Sequence, residues 1–184
     1  TTNNSPAGTP FNNVTFANGA GAFTVDGNLW TLAEPTDAGS GQIANGSINN
    51  LSATTETMRN PLLLVDGNHK IISSGGGTLR LNGAITRSNA AVVSMSGNIN
   101  VAGGLSTNGS LNGILGGWAI YSNNWATLDA NSNVVAYSGY TDITSGTIPN
   151  NPAVNVRIPT AGGAISVSGT TTINSLLVSA GNAN

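Results

Sequence analysis

The stretch Leu62–Ile85, LLLVDGNHKIISSGGGTLRLNGAI, decides how the rest of the chain reads. It holds three short apolar runs, Leu62–Val65, Ile71–Ile72 and Thr78–Leu81, separated by Asp66-Gly67-Asn68 and Gly75-Gly76-Gly77. Each run is too short for a helix, and Thr-Leu-Arg-Leu alternates as a strand with one wet face does. The glycine clusters between runs let the backbone turn through positive φ. Three strands and three corners in roughly two dozen residues is the size of one coil of a parallel β-helix. The rest of the chain reads as variations on this coil.

Composition agrees. Only 7% of the 184 residues are charged, against roughly 25% in an ordinary globular chain. Twenty-five glycines and many Asn, Ser and Thr stand in their place. Those polar side chains compete for backbone hydrogen bonds inside a helix, so helix is disfavoured throughout. Disorder is disfavoured too, because 39% of residues are apolar and recur in alternation. The length suits one domain with a continuous core. With a net charge of −2 and Arg59, Lys70, Arg80, Arg87 and Arg157 scattered, there is no basic footprint for nucleic acid or an anionic membrane. Cysteine is absent, which removes disulfides and thiolate metal sites. No apolar run approaches the ~20 residues a spanning helix needs, and no secretion-signal pattern opens the chain. If the protein is secreted, Thr1 is expected to begin a processed form or a piece of a longer chain.

In chain order, Thr1–Pro10 reads as an extended arm or end cover. Residues 11–184 read as one solenoid domain. Its first coil has Val14–Phe16, Ala22–Val25 and Leu29–Leu32, with Asp26-Gly27-Asn28 at a corner. The Val-Asp-Gly-Asn string returns at Val65–Asn68, and Ser96-Gly97-Asn98 is a looser copy. A repeated corner is what stacked coils predict. Glu34–Gly41 reads as a loop, Ile43, Ile48 and Leu51 mark a further coil, Leu105 lies between Gly103-Gly104 and Asn108-Gly109, and Leu111–Leu115 closes the regular part. Gly116–Pro159 departs from the pattern and is expected to be a hairpin-like aromatic insert turning at Asp129–Asn133. The coil resumes at Ala164–Val167 and Thr171–Val178, before a small polar tail, Ser179–Asn184. The expected fold is therefore all-β, a right-handed parallel β-helix of roughly seven coils. Leu62, Leu64, Leu79, Leu81, Ile165 and Val167 are expected in its inward stack.

Four strings carry a family resemblance: ANGAGAFTVDGNLWTLAE, SATTETMRNPLLL, SGGGTLRLNGAI and GGWAIYSNNWATLDANSNVVAYSGYT. They resemble the autotransporter-associated β-strand repeats of large bacterial surface or secreted proteins, over roughly Phe11 to Tyr140. The resemblance implies a β-helix passenger region at the cell surface and supplies no catalytic residues. The chain differs from the long form of that family in being short and carrying no membrane β-barrel portion.

Candidate chemistry is sparse. His69, the only histidine, has no second His or Cys with which to hold zinc, and reads as a solvated corner residue. Asp26 and Asp66 occupy the same slot of the repeated string, which would stack them near a calcium ion. Asp-Gly also has an ordinary turn chemistry, and that reading is preferred. Asp129 and Asp142 flank the aromatic segment, with Arg157 beyond. An enzyme acting on polysaccharides would need such carboxylates paired over one groove. Trp118, Tyr121, Trp125, Tyr137 and Tyr140 form either a sugar-stacking platform or a mini-core under a covering loop, and the mini-core is preferred.

The function expected from these features is structural: an extracellular or cell-surface building block that assembles head to tail into filaments. Neither terminus offers a helix or charge cluster to cover the solenoid edges, and the Thr1–Pro10 arm would bridge to a neighbour. A glycan-binding adhesin segment is the alternative, and a carbohydrate-active enzyme the third reading. No enzyme activity, cofactor or metal is expected. The expected partner is a further copy of the chain or a surface glycan.

Overall fold

The computed structural model describes residues 2–33, 45–88, 90–103, 112–159 and 163–179. The expected loop at 34–41, Ile43, Leu105, Leu111 and the tail beyond Ser179 lie outside them. The described residues form an all-β solenoid of about seven turns.

Twelve strands wind through four coils of three. The first coil is β1 (Thr2–Asn3), β2 (Pro10–Phe11) and β3 (Asn13–Phe16). The second is β4 (Thr24–Gly27), β5 (Trp30–Leu32) and β6 (Ser47–Asn50). The third is β7 (Glu56–Met58), β8 (Leu62–Leu64) and β9 (Gly67–Ser73), and the fourth β10 (Leu79–Leu81), β11 (Ile85–Arg87) and β12 (Ala91–Gly97). A fifth turn opens with β13 (Ile99–Asn100) and reaches β14 (Ala119–Tyr121). Each strand pairs in parallel with its counterpart one coil away, giving three sheets: β1-β4-β7-β10-β13, β2-β5-β8-β11, and a third running from β3 through β6, β9 and β12 to β14.

Register explains the core. Val14, Ile48, Ile71 and Met95 form one row of Cα partners, and Trp30, Leu62 and Ile85 another. Inward side chains at alternate positions thus stack like on like, and each removes apolar surface from water at roughly 25 cal/mol per Å². Leu62, Leu64, Leu79 and Leu81 are all buried in this column. Leu51 is not, being 41% exposed just past β6. At Gly97 the φ of 80° and the Ser73 carbonyl against the α-carbon leave no room for a Cβ.

The three related corner strings do not mark register. Val25–Asn28 covers the end of β4 and the step toward β5, Val65–Asn68 the step from β8 into the start of β9, and Ser96–Asn98 the end of β12 and the step toward β13. Each copy turns a different corner of the triangle. The reason is that any tight arc favours glycine next to Asp or Asn, so corner composition repeats where position does not. Asp26 and Asp66 are consequently not stacked.

Two other expectations change. Residues 2–10 are not a free arm: Thr2 and Asn3 pair with Asp26 and Gly27, and Pro10 and Phe11 with Thr31 and Leu32. Phe11 also stacks on Trp30, centroids 4.7 Å apart. The hairpin-like element is narrower than 116–159. It comprises β15 (Asn124–Leu128), antiparallel to β14, and β16 (Val134–Ala136), antiparallel to β15, with the turn at Asp129–Asn133. Parallel winding then resumes in a second stack: β17 (Thr141–Asp142), β18 (Gly146–Thr147), β19 (Asn151–Ile158), β20 (Ile165–Ser166) and β21 (Ile173–Val178). Here β17-β19-β21 form one sheet and β18-β20 the other. In this stack Ile165 is only half-buried and Val167 is 62% exposed, so neither belongs to the closed core column.

Candidate functional site

The hairpin β15–β16 closes the far end of the first stack. Val134 and Ala126 are buried over Leu115 and Trp118, and the Leu115 N–H donates to the Ala126 carbonyl. Asn100 Nδ2 donates to the Asn131 carbonyl and to Asn133 Oδ1, fastening the turn onto β13. Within the turn, Asp129 Oδ1 accepts the N–H groups of Asn131 and Asn133, and Oδ2 accepts from Asn133 Nδ2. These bonds, the Asn133 side chain foremost, hold the Asp129 carboxyl below its usual value.

The five aromatics do not share a platform. Trp118 is buried in the core, with the Arg87 guanidinium 5.2 Å from its ring centre. Tyr121 packs on the core and donates its hydroxyl to the Gly97 carbonyl. Trp125, Tyr137 and Tyr140 lie where the hairpin meets the second stack. The Tyr140 hydroxyl oxygen accepts the backbone N–H of Trp125, its ring meets Tyr137 edge-on at 4.9 Å, and burial pushes its hydroxyl pKa upward. The Arg157 guanidinium sits 4.8 Å over the Tyr140 ring and bonds both oxygens of Asp142, at 2.8 and 2.7 Å. That pairing lowers the Asp142 pKa and raises that of Arg157. Asn155, buried beneath, donates to the Asn112 carbonyl and the Tyr137 hydroxyl while accepting from Asn174 and Ser175. The aromatic segment is thus an end cap plus a joint between stacks. Its two carboxylates are occupied as local acceptors, Asp129 in its turn and Asp142 on Arg157.

No family model, curated protein or solved structure matches the chain.

His69 is not at a solvated corner. It sits inside β9, 1% exposed, where its Nδ1 accepts the Gly46 N–H at 3.1 Å and its Nε2 contacts the Val65 carbonyl at 2.6 Å. An accepting Nδ1 requires the hydrogen on Nε2, so the ring is a neutral donor–acceptor bridge. Sequence reasoning passed over Glu56, which is fully buried in the row of Leu79 and Ile99. Its Oε2 accepts the Phe23 N–H at 2.7 Å and its Oε1 the Thr54 hydroxyl at 2.8 Å. The signal was available: Glu56 shares strand parity with Met58, as His69 does with Ile71.

Among the described residues no three His, Asp or Glu side chains converge to hold a metal ion. Asp66 accepts the Ser88 hydroxyl and the Ala90 N–H, which lower its pKa. One groove, about 480 Å³, lies beside the cap between Thr78, Asn98, Tyr121, Asp129 and Asn133. A smaller hollow of about 330 Å³ is lined by Asn12, Asn45, Ser47, Asn68 and Lys70.

Proposed function

We propose that this chain is a structural building block of an extracellular or bacterial cell-surface β-solenoid, and that it associates with further copies of itself through the ends of its stacks. The observation that carries this reading is where the polar side chains are engaged. Asn50 bonds Ser73, Asn60 reaches the Asn28 carbonyl, Asn100 holds Asn133, and Asn155 holds Ser175. Each links one turn to another, so the chemistry-bearing groups support the scaffold. Low charge leaves little repulsion between neighbouring β edges. The likeness of the Gly-Gly-Trp segment to autotransporter-associated repeats suits the same surface setting. Negative-stain images and light scattering of the purified protein test the reading. Filaments or discrete oligomers support it, and a monomer at high concentration overturns self-association.

A second reading, a glycan-binding adhesin segment, is favoured by the groove beside Tyr121 and Asn98. Under it, Tyr121→Ala lowers retention on a glycan array while Trp125→Ala does not. Under the structural reading both variants only lower the melting temperature.

A further inference from the structure

The chain has two Asp-Gly dipeptides among its described residues, and the fold treats their reacting atoms differently. At the first, the Gly27 N–H donates to Oδ1 of the preceding Asp26 at 2.8 Å. The nitrogen therefore rests beside the carboxyl carbon of its own neighbour, and both residues are exposed. Gly27 has φ of 109° and no Cβ to block the approach. At the second, the Asp66 carboxylate is drawn toward Ser88 and Ala90, and the buried Gly67 directs its N–H at the Ala90 carbonyl, 3.5 Å away.

We propose that Asp26 is a site of spontaneous covalent isomerisation. The Gly27 nitrogen bonds to Asp26 Cγ and gives its proton to solvent, while one carboxyl oxygen takes up protons and leaves as water. The product is a five-membered cyclic imide spanning residues 26 and 27. Water then adds back at one of two carbonyls. Opening at Cγ restores Asp26. Opening at the backbone carbonyl leaves the chain running through Cγ, an isoaspartyl link with one extra backbone atom and no change in mass. Nothing is oxidised or reduced, and solvent is the only co-reactant.

The position gives the modification a structural consequence. Asp26 and Gly27 are the pairing partners of Thr2 and Asn3. Beside them Asn28 donates its N–H to the Asn3 carbonyl and its Nδ2 to the Ser5 carbonyl, and accepts from Asn3 Nδ2. An extra backbone atom in β4 shifts this register and frees the first coil from the second. Asp26 thus acts as an ageing point at which the first coil loosens.

The test compares the two dipeptides within one molecule. The folded protein is stored warm at mildly acidic and neutral pH, digested, and read by electron-transfer fragmentation, which distinguishes isoaspartate from aspartate. Near-attack placement is expected to favour position 26 over position 66 on the order of tenfold or more. In denaturant the two should converge, because the advantage comes from the fold. Hydrogen exchange over residues 2–5 should rise in step with the modified fraction. Asp26→Glu, which must close a larger ring, should abolish the product and keep exchange at the level of fresh protein. Equal accumulation at the two sites in folded protein, or none at 26, overturns the proposal.

Discussion

His69 Nδ1 accepts the backbone N–H of Gly46 at 3.1 Å across 23 residues, one full coil of the solenoid. A ring buried among aliphatic side chains thus does what a ladder hydrogen bond does elsewhere. Replacing His69 with Ala leaves the Gly46 N–H buried without an acceptor and opens a void in the row it shares with Val93. The orphaned donor alone costs about 1–3 kcal/mol, and the lost packing adds to it. Chemical denaturation should show a clear drop in midpoint, with little change in the β signature of the remaining folded protein. An unchanged midpoint would remove His69 from the inter-coil framework.

Glu56 makes the parallel case in the first sheet. Its two oxygens accept from Phe23 N–H and the Thr54 hydroxyl. Glu56→Leu adds apolar surface to a row already holding Leu79 and Ile99, yet leaves the Phe23 N–H unsatisfied. Glu56→Gln keeps one acceptor, and the Thr54 hydroxyl can rotate to accept from its amide. The Leu variant should therefore be the less stable of the two, by about 1–2 kcal/mol in equilibrium unfolding. If Leu proves the more stable, apolar stacking outweighs the hydrogen bond here.

These two residues also show where sequence reading stopped. The coil was legible because alternation and glycine corners are local signals, visible in Leu79-Arg80-Leu81 without knowing any partner. Glu56 and His69 were hidden because their type says surface while their strand parity says core, and parity is decided by a register the sequence displays only weakly. Corner strings misled for the related reason that all three vertices use the same turn chemistry, as Asp26 and Asp66 show. Past Gly116 the period changes: antiparallel strands intervene, and among the described residues the second stack has two sheets in place of three. A single coil length follows neither change, which is why the sequence pattern alone places Thr141–Ile158 in the insert.

Acid should weaken the fold through three carboxylates. Asp66, Asp129 and Asp142 are each held below the ordinary value of 3.8, chiefly by Ser88, Asn133 and Arg157 respectively. A group depressed in the folded state is protonated more readily when unfolded. Its stabilisation is therefore complete above the ordinary carboxylate range and disappears as pH falls through the folded value. The melting temperature should hold from neutral pH down to about 5 and decline below 4. Asp142→Asn should melt earlier than the parent at neutral pH and approach it in acid. Coincident curves at all pH values would mean that the Arg157 pair contributes nothing to stability.

Among the described residues β21 is an edge strand, and Leu176 and Val178 on it are 42% and 59% exposed, with Val167 nearby at 62%. Unpaired edges carrying apolar side chains invite strand addition. A head-to-tail joint would set this two-sheet rim against the three-sheet rim of β1, β2 and β3, so only part of each can pair. Two β21 edges meeting antiparallel are self-complementary, and β21 carries no charge to repel its twin. Thr2, Asn3, Pro10 and Phe11 are already paired to the second coil and so are not free to bridge to a neighbour. The double change Leu176→Lys and Val178→Lys places like charges at either joint and replaces only exposed side chains. Light scattering should then report the monomer mass, while the melting temperature stays near the parent value. In the parent, a mass that stops at two chains points to the β21 pair, and a mass that keeps rising with concentration points to the head-to-tail joint. If the lysine variant associates as strongly as the parent, the β21 edge is not the contact.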